Sequence, residues 1–444
     1  MATDSTGKSD TSTSGEASTN CQPAQSASEL PHDAMAAGKG GSGSAGSASG
    51  LGEPREAEHG QDAPSQADEA AVEAACERMI LEGVRLLQEG KLDQAEYLLL
   101  EGVKYVEAAL PDSAALASLL DQQALVQFLA GKLAEAEATA ERMREAAERL
   151  FADEEAAVAM CSLRHGTVLA GLGRWDEAQP LLQEAADALQ AAFGDGYEAL
   201  GEARFYLALS EVAESTEASL PAVDRELIEG LKQMRANVGV GPLLAGAALR
   251  EHHRILDDAL QLEDWSRAEA LFLQEIRLHE ALDAGSEGLA LLLYQFCTLH
   301  FILGRLEDAR QLCERSTALA HKEHAAKSDQ AVLRMHRLGT IAAVAQDTTT
   351  AEQLLSQSQE HFSRRLGQDN PITGEARFYL ALTRLHVLET SMTGMDPFDR
   401  ILVPGKWGDL LAELAAGINA MARGFGDEHM LVRKARELEK ERVA

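Results

Sequence analysis

The nine residues GEARFYLAL occur twice, at 201–209 and at 374–382. The copies are 173 residues apart, and that offset, applied without a gap, carries Ala95 onto Ala268, Phe128 onto Phe301, Gly131 onto Gly304, Gly166 onto Gly339, Thr167 onto Thr340, Ala178 onto Ala351 and Gly194 onto Gly367. Nine consecutive identities inside a gap-free register identify a tandem duplication. Whatever one half folds into, the other half folds into as well, and the two must join.

Within each half a shorter unit recurs. Apolar positions at helical spacing run from Ala70 almost to the end of the chain, the pattern of consecutive amphipathic helices. A first helix over 75–88 and a second over 94–109 flank the turn Gly90-Lys91-Leu92-Asp93. The turn returns as Gly131-Lys132-Leu133-Ala134 and Gly173-Arg174-Trp175-Asp176, its glycines 41 and 42 residues apart. Ala95, Ala136 and Ala178 stand just inside the second helices, where a small side chain allows a close approach. Aromatics make up only 5% of the chain, which disfavours strands and favours an all-α fold. In the second half Glu263 and Gln346 replace the turn glycine, so those units are expected to be less regular.

These units resemble tetratricopeptide repeats, in the longer form of about 42 residues of kinesin-light-chain-type arrays. The small residues Gly83, Ala124, Gly166 and Gly339 and the turn glycines match that pattern, and LGQDNPITGEARFYLAL at 366–382 is similar to the acidic, proline-containing loop and helix of that type. The resemblance implies an all-α, right-handed α-solenoid whose first helices line a concave wall. It further implies that exposed side chains on those helices contact a partner peptide; carried onto this chain they are Asp121, Leu125, Phe128, Arg164, Thr167, Tyr294, Thr298, Phe301, His336 and Thr340. The clamp that holds a C-terminal carboxylate in chaperone-binding relatives falls here on Ile80, Val84, Gln122, Met160 and Arg164, of which only Arg164 is suited to it. A chaperone co-factor role is disfavoured.

The organisation expected is a disordered Ser/Gly-rich tail over 1–70, a first half over 71–238, a second over 239–388, and a loop with capping helices over 389–444, in which 393–408 reads as the loop. Low content of large apolar side chains leaves such a tail unable to offset its ordering entropy.

The formal net charge is −32, of which the tail's 11 acids and three basic residues account for −8. Without a basic stripe the chain is expected to bind neither nucleic acid nor an anionic membrane surface. The acidic field favours protein or peptide partners with basic segments. Five scattered cysteines, Cys21, Cys76, Cys161, Cys297 and Cys313, form no CxxC pair and suggest a reducing compartment. A cytoplasmic location is expected, with a plastid left open. Nine of the 13 histidines lie between His252 and His386, but no ligand spacing supports a metal, and no cofactor is expected. The glycines at 239, 241 and 246 read as a hinge. The function expected is a non-enzymatic scaffold or adaptor that holds partner segments. A kinesin-light-chain-like cargo adaptor and an enzyme on a helical scaffold are the alternatives, the latter without a motif behind it.

Overall fold

The repeating unit begins at a turn that closes the same way each time. Gly90, Gly131, Gly173 and Gly304 all take positive φ, between 72° and 77°. At Gly131 the amides of Gly131 and Lys132 donate to the carbonyls of Phe128 and Gln127, so two otherwise orphaned helix-end acceptors are satisfied. Glu263 and Gln346 close the same turn with φ of 55° and 63°, Asp264 donating to Ala259 and Asp347 to Ala342. The expected irregularity is therefore not in the backbone. It is in the strain of a non-glycine residue held left-handed.

The computed structural model describes residues 66–151, 154–216, 219–236, 239–283, 285–320, 328–392 and 403–443. Most of the expected tail, Cys21, the histidines at 321 and 324, and residues 393–402 of the expected loop lie outside the described residues. The first half comprises four helix pairs: α1 (Gln66–Gln88) with α2 (Leu92–Ala109), α3 (Ala114–Leu129) with α4 (Leu133–Leu150), α5 (Glu155–Gly171) with α6 (Trp175–Phe193), and α7 (Glu198–Glu214) with α8 (Asp224–Ala236). A 3-10 turn, Leu220–Ala222, precedes α8. The second half repeats the plan with α9 (Gly241–Gln261), α10 (Trp265–Asp283), α11 (Glu287–Ile302), α12 (Leu306–Ala320), α13 (Asp329–Val344), α14 (Thr348–Leu366), α15 (Pro371–Met392) and α16 (Val403–Phe425), followed by α17 (Met430–Val443). No strand occurs among the described residues. Helices α11 and α14 start and end 173 residues after α3 and α6. The protein is an α-solenoid of tetratricopeptide-type helix pairs.

Helix pairs approach closely because one side of each crossing is nearly bare. A methyl group on Gly166 would lie 2.8 Å from Leu182, and one on Gly339 would lie 2.9 Å from Leu355. In the fourth pair of each half both sides are glycine: Gly230 meets the Gly201 carbonyl, and Gly417 meets that of Gly374. The first two are 29 positions apart and the second two 43, so the offset of 173 breaks before α16. Pro404, expected in a loop, lies at the start of α16 instead; proline is accepted in a first turn because its missing N–H would have no helical partner there.

Each half is followed by a helix seated in the same way. Leu244, Ala245 and Ala248 of α9 are buried after the first half, and Leu431, Val432 and Ala435 of α17 are buried after the second. The N-terminal end of α9 meets α1, where Gln88 donates to the Gly239 carbonyl. Its far end meets α5, where Arg254 reaches the Ala170 carbonyl. The expected hinge glycines thus lead directly into a packed helix. Cys76, Cys161, Cys297 and Cys313 are buried free thiols.

Replacing Gln346 by glycine should raise stability by about 1 kcal/mol, since it removes left-handed strain. The check is a higher urea midpoint with an unchanged denaturant slope. The gain at Glu263 should be smaller, because that side chain also pairs with Arg433.

Candidate functional site: the inner wall of each half

The Glu of GEARFYLAL is the centre of a buried charge network in both halves. In the first, Arg164 of α5 donates from Nη1 to Glu202 of α7 at 2.9 Å and from Nε to Asp121 of α3 at 3.0 Å. Thr167 donates to the same Glu202 oxygen at 2.8 Å. Three successive inner helices are thereby tied together. Burial disfavours the Arg164 charge, but Glu202 and Asp121 outweigh it and hold the guanidinium firmly protonated.

The second half solves the same problem differently. Arg337 donates to Glu375 at 2.7 Å, and His336 Nε2 lies 3.3 Å from the other Glu375 oxygen. Position 294, the counterpart of Asp121, is tyrosine. The Arg337 guanidinium lies 6.0 Å from the Tyr294 ring centre and 5.1 Å from that of Phe301, so ring faces replace the second carboxylate. Burial works to raise the Glu375 carboxyl, and Arg337 and His336 overcome it and hold the group well below its ordinary range. Thr340 donates to the Arg337 carbonyl at 2.8 Å. Tyr206 and Tyr379, the tyrosines of the two copies, are pushed up by burial and by Glu202 and Glu375.

These networks account for several of the ten residues expected on the concave surface. Asp121, Arg164 and Thr167 come together around Glu202, and Tyr294, Phe301, His336 and Thr340 gather around Arg337 and Glu375. Their exposure differs from the expectation. Leu125, Phe128, Arg164, Thr167, Phe301, His336 and Thr340 are buried, and only Asp121, Tyr294 and Thr298 are partly exposed. The reason is that the inner helices are covered on both sides. From Cys161 to Gly171 every residue of α5 is buried, because α6 packs on one side while the neighbouring inner helices and α9 close the other. Arg164 is not available as a carboxylate clamp, since two carboxylates already hold it. Glu202, Arg337 and Glu375 were missed as site residues; the signal was there in a charged residue at the same place in each copy of a buried-looking helix.

An opening remains where α9 crosses the second turn. Phe128, Leu129, Ala130, Gly131 and Leu133 face Ala247, Arg250 and Glu251 across a cleft of about 350 Å³. Most of its lining residues are apolar, but polar atoms supply the larger share of its exposed surface, and Arg250 and Glu251 bring one charge of each sign. Burial raises the Glu251 carboxyl, against the pull of Arg254, which donates to it at 2.9 Å. Among the described residues no three His, Cys, Asp or Glu side chains are placed to hold a metal ion, and no helix is long and apolar enough to cross a membrane.

No family model matches the chain, and no curated protein matches it. Among solved structures it is similar to apo RapI, at 11% identity over 83% of this chain and 97% of that one, with a TM-score of 0.42. It is also similar to aspartyl phosphate phosphatase F from Bacillus subtilis (15% identity, 83% of this chain and 93% of that one, TM-score 0.33). A tetratricopeptide repeat protein from Parabacteroides merdae gives 15% identity over 70% of this chain and 99% of that one, at 0.30. With scores this low, the class rests on the helix pairs, turns and crossings described above.

Substituting Glu375 by alanine leaves Arg337 buried with ring faces as its main compensation, and should cost roughly 3–5 kcal/mol. Glu202→Ala should cost clearly less, because Arg164 keeps Asp121. Urea unfolding of the two variants side by side measures the difference; equal losses would show that Asp121 does not compensate.

Proposed function

We propose that this protein is a non-enzymatic scaffold that holds partner peptide segments on its repeat array. The observation that supports the reading is the cleft between the α3–α4 turn and α9, lined mainly by apolar residues with Arg250 and Glu251 at its edge, on an inner wall that is otherwise mostly buried. It is suited to a short segment with one apolar anchor. The surplus of acidic residues outside the tail favours basic neighbours on that segment, through faster and more selective encounter. Of the residues the resemblance implies as contacts, Phe128 lines the cleft, and Asp121, Tyr294 and Thr298 retain the exposure that a contact needs. A duplicated array offers a second inner wall, and two linked sites bind a bivalent partner more tightly than either alone.

Selection of random displayed peptides on the full chain tests this. Enriched sequences should share an apolar residue flanked by Lys or Arg, and Ala130→Lys, which narrows the cleft and adds a positive charge, should weaken their binding about tenfold or more, roughly 1.4 kcal/mol. Ala130 is partly exposed at a helix end, so the fold should tolerate the change. Peptides that bind the variant as well as the parent chain would rule the cleft out.

A further inference from the structure

The joint between the halves is polar where its first-half counterpart is apolar. At the offset of 173, His252, His253, Glu275 and His279 stand in the places of Met79, Ile80, Gly102 and Val106. The Glu275 carboxylate is buried, and among the described residues its bonding partners are imidazoles. His253 Nδ1 lies 3.1 Å from both oxygens, and His252 Nδ1 lies 3.4 Å from one. His279 Nε2 is 3.9 Å away.

This cluster is wired into the first half. His252 Nε2 lies 2.9 Å from Gln274 Oε1, and the Gln274 amide donates to the Leu220 carbonyl at 3.0 Å and to Asp224 at 2.8 Å. Arg277 of α10 also pairs with Asp224 of α8. On α9, Asp257 stands 3.8 Å from His253 Nε2, and Asp258 adds negative charge beside Asp257. From α11, Gly288 packs on the His279 ring, where a methyl would lie 3.0 Å from Cε1.

We propose that this joint is a pH-sensitive coupling that holds the two halves in one setting near neutral pH and loosens on either side of it. A buried carboxylate whose countercharge comes from imidazoles is balanced only while they carry the right number of protons. Hydrogen bonding to Glu275 raises the His253 pKa, against burial. Its stabilisation is complete below the ordinary imidazole value of 6.5 and is lost as pH rises through the raised value. Burial lowers the His279 pKa, more than Glu275 raises it. That contribution is complete above 6.5 and is lost as pH falls below it toward the folded value. Burial opposes the Glu275 charge, yet His252 and His253 hold the carboxyl down at about 2, so its own loss comes only between 4.5 and that value. Arg250 and Glu251 of the cleft stand two and one positions before His252 on the same helix.

Hydrogen exchange of the full chain, corrected for intrinsic rates, tests the coupling, with α1–α2 as an internal reference for α9–α10. Relative to pH 7, protection of α9–α10 should fall several-fold more than that of α1–α2 at about pH 8.5, and should fall again, by a smaller factor because His253 gains in part what His279 loses, at about pH 5.5. His253→Gln should abolish the alkaline change and His279→Gln the acidic one. Parallel pH responses in α1–α2 and α9–α10 of the parent chain would overturn the proposal, whether or not the variants fold. So would an alkaline loss that persists in His253→Gln.

Discussion

A guanidinium buried against a carboxylate on the next inner helix fixes the register of each half. Once Arg164 and Arg337 are inside, neither can be left alone, because an unpaired buried charge costs several kcal/mol. The pairs Arg164–Glu202 and Arg337–Glu375 span 38 positions each and join the first helices of neighbouring units, so the contact acts between units rather than within one. The apolar core would tolerate small slips between α5 and α7 or between α13 and α15. An ion pair with a bonding distance near 3 Å does not. The two halves keep this requirement while changing its surroundings: Asp121 supplies a second carboxylate in one, and Tyr294 with Phe301 supplies ring faces in the other.

The duplication and the helix-turn-helix units were legible in the sequence because they rest on local chemistry. Glycine at a left-handed turn and a small residue at a crossing are readable one unit at a time, and the two copies of GEARFYLAL set the offset. Three things were not readable in that way. Glu263 and Gln346 were expected to make their units less regular, yet hydrogen bonding to the preceding helix holds them in the glycine conformation. The 14 extra positions before α16 move Gly417 away from the offset, and only its packing on Gly374 restores the equivalence with Gly230. The exposure of the inner wall was misjudged because the resemblance supplies a concave surface but not what lies across it. The apolar character of α5 on all sides was the available sign that α9 and its neighbours would cover it.

The consequence for function is that the inner wall is mostly core. The proposed binding therefore falls to the cleft beside Phe128 and Arg250 and to the few partly exposed side chains above the charge networks. His252 and His253 of the joint lie on the same α9 that borders the cleft, and Glu275 faces them from α10.

The account stands on the buried ion pair as the tie between consecutive inner helices. A double-mutant cycle on Arg337→Met and Glu375→Leu, read by urea unfolding of the full chain, measures that tie directly. The prediction is a coupling of about 2–3 kcal/mol, with the double variant far more stable than the sum of the single losses implies. Additive losses, with a coupling near zero, would mean that the pair does not hold the inner wall together.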